Sequence, residues 1–176
     1  LEHWVNQDEL TGALTRRGFF AKLHAVIKQT SQASGVFSVA IVDLDHFKSI
    51  NDQYGHAMGD LVLTRVGQLI VSSLREADVF GRLGGEEFVI MFPGLRRREA
   101  ASRLEALRVS LRDDFARTED DAVPVFTFSA GVDEYRMGEP MENLMRRADA
   151  ALYTAKGQGR NRVVSADQVL LESQEA

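Results

Sequence analysis

Acidic side chains set beside glycines mark the places where this sequence could do chemistry. In Arg82-Leu83-Gly84-Gly85-Glu86-Glu87-Phe88, two glycines and two carboxylates interrupt apolar residues. Val79-Phe80 leads in and Phe88 to Phe92 leads out, so Gly84-Gly85 reads as a tight hairpin turn, where positive φ costs glycine nothing. Glu86 and Glu87 would project from it. A plain solvated turn also accounts for the glycines but leaves the adjacent like charges unexplained. A second acidic pair, Asp43-Leu44-Asp45, closes an apolar run. Residues two apart on an extended chain share a face, and paired carboxylates at a strand end can hold a hard cation such as magnesium. An exposed loop after a buried strand is the plainer account. If the hairpin is the neighbouring strand pair, its acids converge on Asp43 and would repel it without a cation.

Other polar residues suit a phosphorylated purine. Asn51, Asp52 and Asp60 flank a glycine-containing loop, Gln53 to Gly59. A carboxylate can accept from the ring N–H and amino group of guanine while an amide bonds beside them. An Asx-turn at Asn51 and a helix cap at Asp60 are the structural alternatives. Lys48, Lys156 and Arg160 are candidate phosphate contacts, arginine in bidentate fashion. Cations near residue 156 also suit the negative end of a helix. Arg75-Glu76-Ala77-Asp78 reads as a charged helix end with a local salt bridge. His56 reads as structural or hydrogen-bonding, since none of the four histidines lies at a metal-ligand spacing.

Positioning these groups requires strands and helices in alternation. Arg16 onward feeds a helix to about Thr30, with Phe20, Leu23 and Ile27 at helical spacing, and Ser31 to Gly35 reads as a loop. Val36 to Leu44 is β-branched and short enough for a buried central strand. Asp45 to Tyr54 reads as a short helical turn followed by loop, and Asp60 to Leu74 as a packed helix. The hairpin strands are Val79–Leu83 and Phe88–Phe92. A long helix follows over Arg96–Arg117, a strand over Val123–Val132, a helix over Glu142–Lys156 stopped by Gly157-Gln158-Gly159, and a last strand over Asn161–Ser165. The tail after Ala166 is expected to fray. This order predicts an α/β (α+β) fold, a mixed sheet covered by helices.

Composition narrows the class. The 176 residues suit one core, and 44% hydrophobic content is ordinary for a globular protein. The absence of cysteine excludes disulfides and thiolate metal sites and fits a cytoplasmic domain. No apolar run approaches the roughly 20 residues that span a bilayer. Because the chain opens on Leu1, an upstream sensor or regulatory region is expected, and the full-length protein could carry a membrane anchor there. A net charge of −5 argues against a general nucleic-acid binder.

Taken together, these stretches resemble one family. Gly84-Gly85-Glu86-Glu87-Phe88 is similar to the signature of GGDEF-domain diguanylate cyclases, in its GGEEF form. Asp8-Glu9-Leu10-Thr11-Gly12 and Arg16-Arg17-Gly18-Phe19 resemble the family's opening motif, and Asp43 to Lys48, Asn51-Asp52, Gly55-His56 and Gly59-Asp60 its substrate segment. Ser129 to Val132, Ala148 to Tyr153, Ala155-Lys156 and Gly159 to Arg162 resemble its closing elements. The resemblance covers about residues 8 to 164. It implies a palm-like nucleotidyl-cyclase fold with a largely antiparallel sheet, and a domain over 8–166 between the end of an upstream linker or signalling helix (1–7) and a tail (167–176). It implies condensation of two GTP into cyclic di-GMP with release of pyrophosphate. Asp43, the Leu44 carbonyl, Glu86 and Glu87 then hold magnesium or manganese, two ions per site. Asp43, Lys48, Glu86 and Glu87 take the catalytic positions. Asn51 and Asp60 read guanine, Phe47, Gly84 and Gly85 border the nucleotide, and Lys48, Lys156 and Arg160 meet the triphosphate. Arg75 and Asp78 match an inhibitory RxxD site for product, with Arg103 and Arg108 as candidates for its further basic residue. Because one domain supplies one GTP site, an active homodimer is implied. A silent domain that binds GTP or cyclic di-GMP is the alternative.

Overall fold

The computed structural model describes residues 6–33, 35–117 and 123–169. In chain order they form α1 (Arg16–Ala33), β1 (Phe37–Leu44), α2 (Phe47–Tyr54), α3 (His56–Ser73), β2 (Val79–Gly84) and β3 (Glu87–Pro93). Then come α4 (Arg97–Ala116), β4 (Phe128–Glu134), α5 (Met141–Gly157) and β5 (Val163–Ser165). The described strands make a five-stranded sheet in the order β2-β3-β1-β4-β5. Its pairings are antiparallel except for the parallel β4–β5 pair.

β1 is buried at all eight positions, as its unbroken apolar run requires of a strand covered on both faces. Alternation divides its side chains. Ala40, Val42 and Leu44 join Phe88, Ile90, Phe92 and Phe128 in a core beneath α2, α3 and α4. Val39, Val89 and Met91 face α1 through Phe19 and Leu23, and Ile41 faces α5 through Ala148 and Leu152. α5 lies very close to the sheet: a Cβ on Gly131 of β4 would stand 2.1 Å from the Ala148 carbonyl oxygen and 2.2 Å from the Leu152 nitrogen. Glycine there lets the helix run along β4 and end beside the terminus of β1. The outer edge of β2 is covered by Leu14, whose N–H donates to the Phe80 carbonyl at 2.9 Å and whose carbonyl accepts from Arg82 N–H at 2.8 Å.

Several expected boundaries move, each for a local reason. α1 runs to Ala33, because no breaker precedes Gly35. The expected loop from Gln53 to Gly59 is instead two helices separated by Gly55 alone, at φ +89°. Asp60 therefore lies inside α3 rather than capping it. β4 begins at Phe128, not Val123, because its partner β1 ends at Leu44, directly opposite Phe128. The last strand is confined to Val163–Ser165, and residues 166–169 are helical, with Ala166 buried, rather than frayed. Residues 1–5 of the expected upstream linker and 170–176 of the tail lie outside the described residues.

Candidate active site

The hairpin is a built turn. Gly84 pairs with Glu87 across Gly85 and Glu86, and Gly85 takes φ +41°. A register shift after Arg82 leaves Leu83 as an extra residue on β2, a bulge that re-aims the tip. Arg82 holds the turn from below. Its Nε and Nη2 donate to the Gly85 carbonyl at 3.0 and 2.8 Å, and its Nη1 reaches both Asp8 carboxylate oxygens at 3.2 Å. Asp8 in turn accepts from Thr11 N–H at 3.0 Å, so the opening segment and the hairpin tip share one arginine. A Cβ on either Gly84 or Gly85 would meet open space, leaving room for a ligand against the turn.

The sheet register brings the acids together. Asp43 of β1 stands directly opposite Glu87 of β3, and the Leu44 N–H donates to the Glu86 carbonyl at 3.2 Å. Lys156, in the last turn of α5, donates to Asp43 Oδ2 at 2.8 Å. Burial raises the Asp43 pKa above its ordinary value, the Lys156 contact opposes the rise, and the charges of Glu86 and Asp45 add to it. Glu87 is raised by burial first and then by Asp43 and Asp149, against Lys156 and Arg16. Among the described residues no three acidic or imidazole side chains close on a single point. The donor set nevertheless fits a hard cation. Magnesium takes one or two protein carboxylates and completes its shell with phosphate oxygens and water. Asp43 and the hairpin carboxylates repel one another, and an ammonium already stands against Asp43.

Asp45 departs from the paired-acid expectation. It is 4% exposed, and its carboxylate accepts from Thr127 Oγ1 at 2.6 Å, Ser129 Oγ at 2.7 Å and the Asn161 N–H at 3.0 Å. It belongs to β4 and the 157–162 turn rather than to an acidic pair with Asp43.

The purine-suited residues sit on α2 and α3. Phe47 and Ile50, each 7% exposed, anchor α2 to the core, which leaves Lys48 exposed and Asn51 half-buried. Asn51 Oδ1 is buried without a hydrogen-bond partner. A Cβ on Gly59 would fall 1.9 Å from that oxygen, so only glycine admits the amide here. Asp60 follows on the exposed side of α3. Phe47 is a core residue whose ring edge lies against the Gly59 position.

Arg160 and Asn161 both take left-handed backbone, at φ +65° and +48°, a conformation costing about 1–2 kcal/mol per non-glycine residue. Arg75 and Asp78 form a bidentate local pair, with Arg75 Nη2 2.7 Å and Nε 3.1 Å from Asp78 Oδ1. The Asp78 side chain is fully buried, and Arg103 adds a contact to its Oδ2 at 3.4 Å. Arg103 also lines a cavity of about 400 Å³ with Leu74, Phe92 and Leu107. Arg108, the other candidate basic residue, points elsewhere: it pairs with Glu105 and donates to Asn161 Oδ1 at 2.6 Å. The Asp8–Arg82 link and the Asp45 contacts had no local signal, since their partners lie 74 to 116 residues apart.

The fold is the palm-like α/β architecture, with the Gly84–Glu87 hairpin between β2 and β3. The family model described as "Diguanylate cyclase, GGDEF domain" matches residues 5–162. Diguanylate cyclase DgcM of Escherichia coli (strain K12) is 39% identical over 166 residues, covering 94% of this chain and 40% of DgcM. The GGDEF domain of DgcB from Caulobacter crescentus, solved in complex with c-di-GMP, matches with a TM-score of 0.86 and 34% identity, covering 92% of this chain and 96% of that one. The active GGEEF domain of a diguanylate cyclase from Vibrio cholerae matches with a TM-score of 0.78 and 32% identity, over 86% of this chain and 96% of that one. The chain belongs to the GGDEF-domain diguanylate cyclase family. It spans about two fifths of the length of its relative DgcM.

Proposed function

We propose that this chain is the catalytic domain of a diguanylate cyclase, joining two GTP molecules into cyclic di-GMP with release of two pyrophosphates. The observation that carries this reading is the register that sets Asp43 opposite Glu87 at the hairpin tip, with Lys156 against Asp43. Asp43, the Leu44 carbonyl, Glu86 and Glu87 would hold two magnesium or manganese ions. When bound, such ions supply charge that stabilises the pentavalent phosphorus and favours the ionised 3′-hydroxyl. The chain's own residues do the rest. The unpartnered Asn51 Oδ1 and the Asp60 carboxylate accept from the guanine edge, with Phe47 supporting the pocket from beneath. Lys48, Lys156 and Arg160 take the triphosphate, and Gly84 and Gly85 let the nucleotide lie against the turn. In each half-reaction a 3′-oxygen attacks an α-phosphorus, the bond to the β-phosphate oxygen breaks, and pyrophosphate leaves. Glu86, on the exposed turn, serves as proton acceptor or as cation ligand. Positioning and charge supply most of the rate.

Each protomer presents one GTP, so product forms where two hairpins meet in a homodimer, with an upstream sensor or regulatory domain controlling the encounter. Arg75 and Asp78, joined by Arg103, form the inhibitory product site. The partners are thus GTP, cyclic di-GMP and a second copy, with no nucleic acid. The test is incubation with GTP and magnesium at high protein concentration, followed by chromatographic separation. Cyclic di-GMP and pyrophosphate are the expected products. A folded dimer that binds cyclic di-GMP yet makes none would instead establish a silent binding domain.

A further inference from the structure

The proposed reaction leaves one buried carboxylate of the site unused. Asp45 sits two residues beyond Asp43 and is 4% exposed, and the donors on its carboxylate are all neutral. A buried carboxylate is costly unless its lone pairs are filled. Here they are filled by three donors from two distant segments: the Thr127 and Ser129 hydroxyls beside β4, and the Asn161 N–H beyond α5. The Asp45 N–H adds a bond to the Thr127 carbonyl at 2.8 Å.

The segment held in this way is strained. Arg160 and Asn161 are consecutive non-glycine residues in the left-handed region, and such backbone persists only where surrounding contacts over-determine it. Four contacts do so, one of them the Arg162 Nε, which donates to the Arg160 carbonyl at 3.1 Å. The Arg160 N–H bonds the Ala155 carbonyl at 3.0 Å, the Asn161 N–H bonds Asp45, and the Asn161 side-chain oxygen accepts from Arg108 at 2.6 Å. Arg108 is itself fixed by Glu105, through Nε at 2.9 Å and Nη2 at 2.5 Å. Asn161 is thus held by its peptide N–H from Asp45 and by its side chain from α4.

We propose that Asp45 and Arg108 are positioning residues that clamp the Arg160–Asn161 turn in its left-handed form and so present Arg160 to the triphosphate of GTP. The inference rests on the proposed role of Arg160 as a triphosphate contact. It assigns Asp45 a structural carboxylate function, distinct from the cation-holding function of Asp43. An asparagine at position 45 can turn its NH₂ toward the Ser129 hydroxyl, which is able to accept, while its oxygen remains on Asn161 and Thr127. The same change removes the negative charge that gives a carboxylate most of its hold on a cation.

Calorimetric titration of the chain with GMP and with GTP, the latter presented as its α,β-methylene analogue so that no α–β bond breaks, at fixed magnesium, separates these roles. Asp45→Ala and Arg108→Met are expected to weaken GTP binding about tenfold, the order of loss when one charged phosphate contact is misplaced, with GMP binding unchanged. Asp45→Asn is expected to stay close to wild type, and Asp45→Ala combined with Arg160→Ala should bind GTP no more weakly than Arg160→Ala alone. Arg108→Met alters a helix-surface contact and carries the test if Asp45→Ala does not fold. Equal losses for GTP and GMP, a loss in Asp45→Asn matching that in Asp45→Ala, or additivity with Arg160→Ala would each overturn the clamp. Wild-type protein that fails to bind GTP overturns the proposed function and the clamp with it. Wild-type binding together with unaffected variants overturns the clamp alone.

Discussion

In the proposed site Asn51 and Asp60 would divide the work of reading a purine edge between a buried amide oxygen with no protein partner and an exposed carboxylate one residue beyond the glycine that admits it. Inosine lacks the exocyclic amino group, so loss of the carboxylate should cost GTP more than ITP. Asp60→Ala is expected to raise the KM for GTP by about 10–100-fold and to narrow the preference for GTP over ITP, measured by initial rates with both nucleotides. Glu87 makes a different prediction. Its pKa is raised from an ordinary 4.5, chiefly by burial, so protonation favours the folded protein over the unfolded chain. That stabilising protonation is complete below the unfolded value and is lost as pH rises through the folded one. Without nucleotide or divalent cation, Glu87→Gln should therefore melt higher than wild type at pH 7, by about 2–4 °C, with the gap closing below pH 4.5. A melting series across that range checks it, and a constant gap would point to packing instead of charge. The juxtaposition of Asp43 with the hairpin acids was legible at this scale as a conditional expectation, and the strand register meets that condition. Asp43 at a strand end and Glu86-Glu87 after paired glycines stood out as candidates, each with a plainer structural account beside it. The different role of Asp45 did not, because what separates it from Asp43 is a pair of hydroxyls 82 and 84 residues away.

Elements carry these residues by close approach as much as by hydrogen bonding. β1 was legible because a strand buried on both faces must be apolar throughout, and α4 and α5 were legible from helical spacing of their buried faces. The Gln53–Gly59 stretch was not, because its glycines suggest a loop. In fact Gly55 breaks the helix at positive φ while Gly59 sits inside α3 to make room for Asn51. Gly131 plays the same part for α5. Alanine there would collide with the α5 backbone at 2.1 Å, and backbone cannot rotate away as a side chain can. Gly131→Ala is expected to destabilise the domain by about 2–3 kcal/mol, lowering Tm by about 5–10 °C, and to weaken GTP binding by moving Lys156. Thermal melts and nucleotide titration measure both, and an unchanged Tm would mean that α5 is free to slide. The Arg82 bridge is the other device at this scale. It ties the Gly85 carbonyl to Asp8, at the start of the segment that leads into the domain. Arg82→Ala should lower kcat more than it raises the KM for GTP, since the turn loses its support while the purine contacts stay in place.

At the scale of the whole molecule, none of the described helices is long and apolar enough to cross a membrane, and the chain spans 40% of its relative DgcM. The activating input was not legible here: in the proposed mechanism it would act on the encounter of two domains, which no residue of one domain spells out. A symmetric reaction also makes the dimer testable without a structure of it. In the proposed mechanism each protomer contributes one GTP and one set of hairpin carboxylates, and ring closure needs both phosphoester bonds. A mixed dimer of wild type and Glu87→Gln forms at most one of them and releases no cyclic product. At a fixed total concentration high enough to dimerise, random pairing makes the fraction of fully wild-type dimers the square of the wild-type fraction. Cyclic di-GMP production should therefore fall with the square of that fraction as Glu87→Gln replaces wild type, and a linear pppGpG product should accumulate in the mixtures. A fall in simple proportion to the wild-type fraction, with no linear product, would show that one protomer completes the reaction alone. In that case the hairpin would be a whole active site and not half of one.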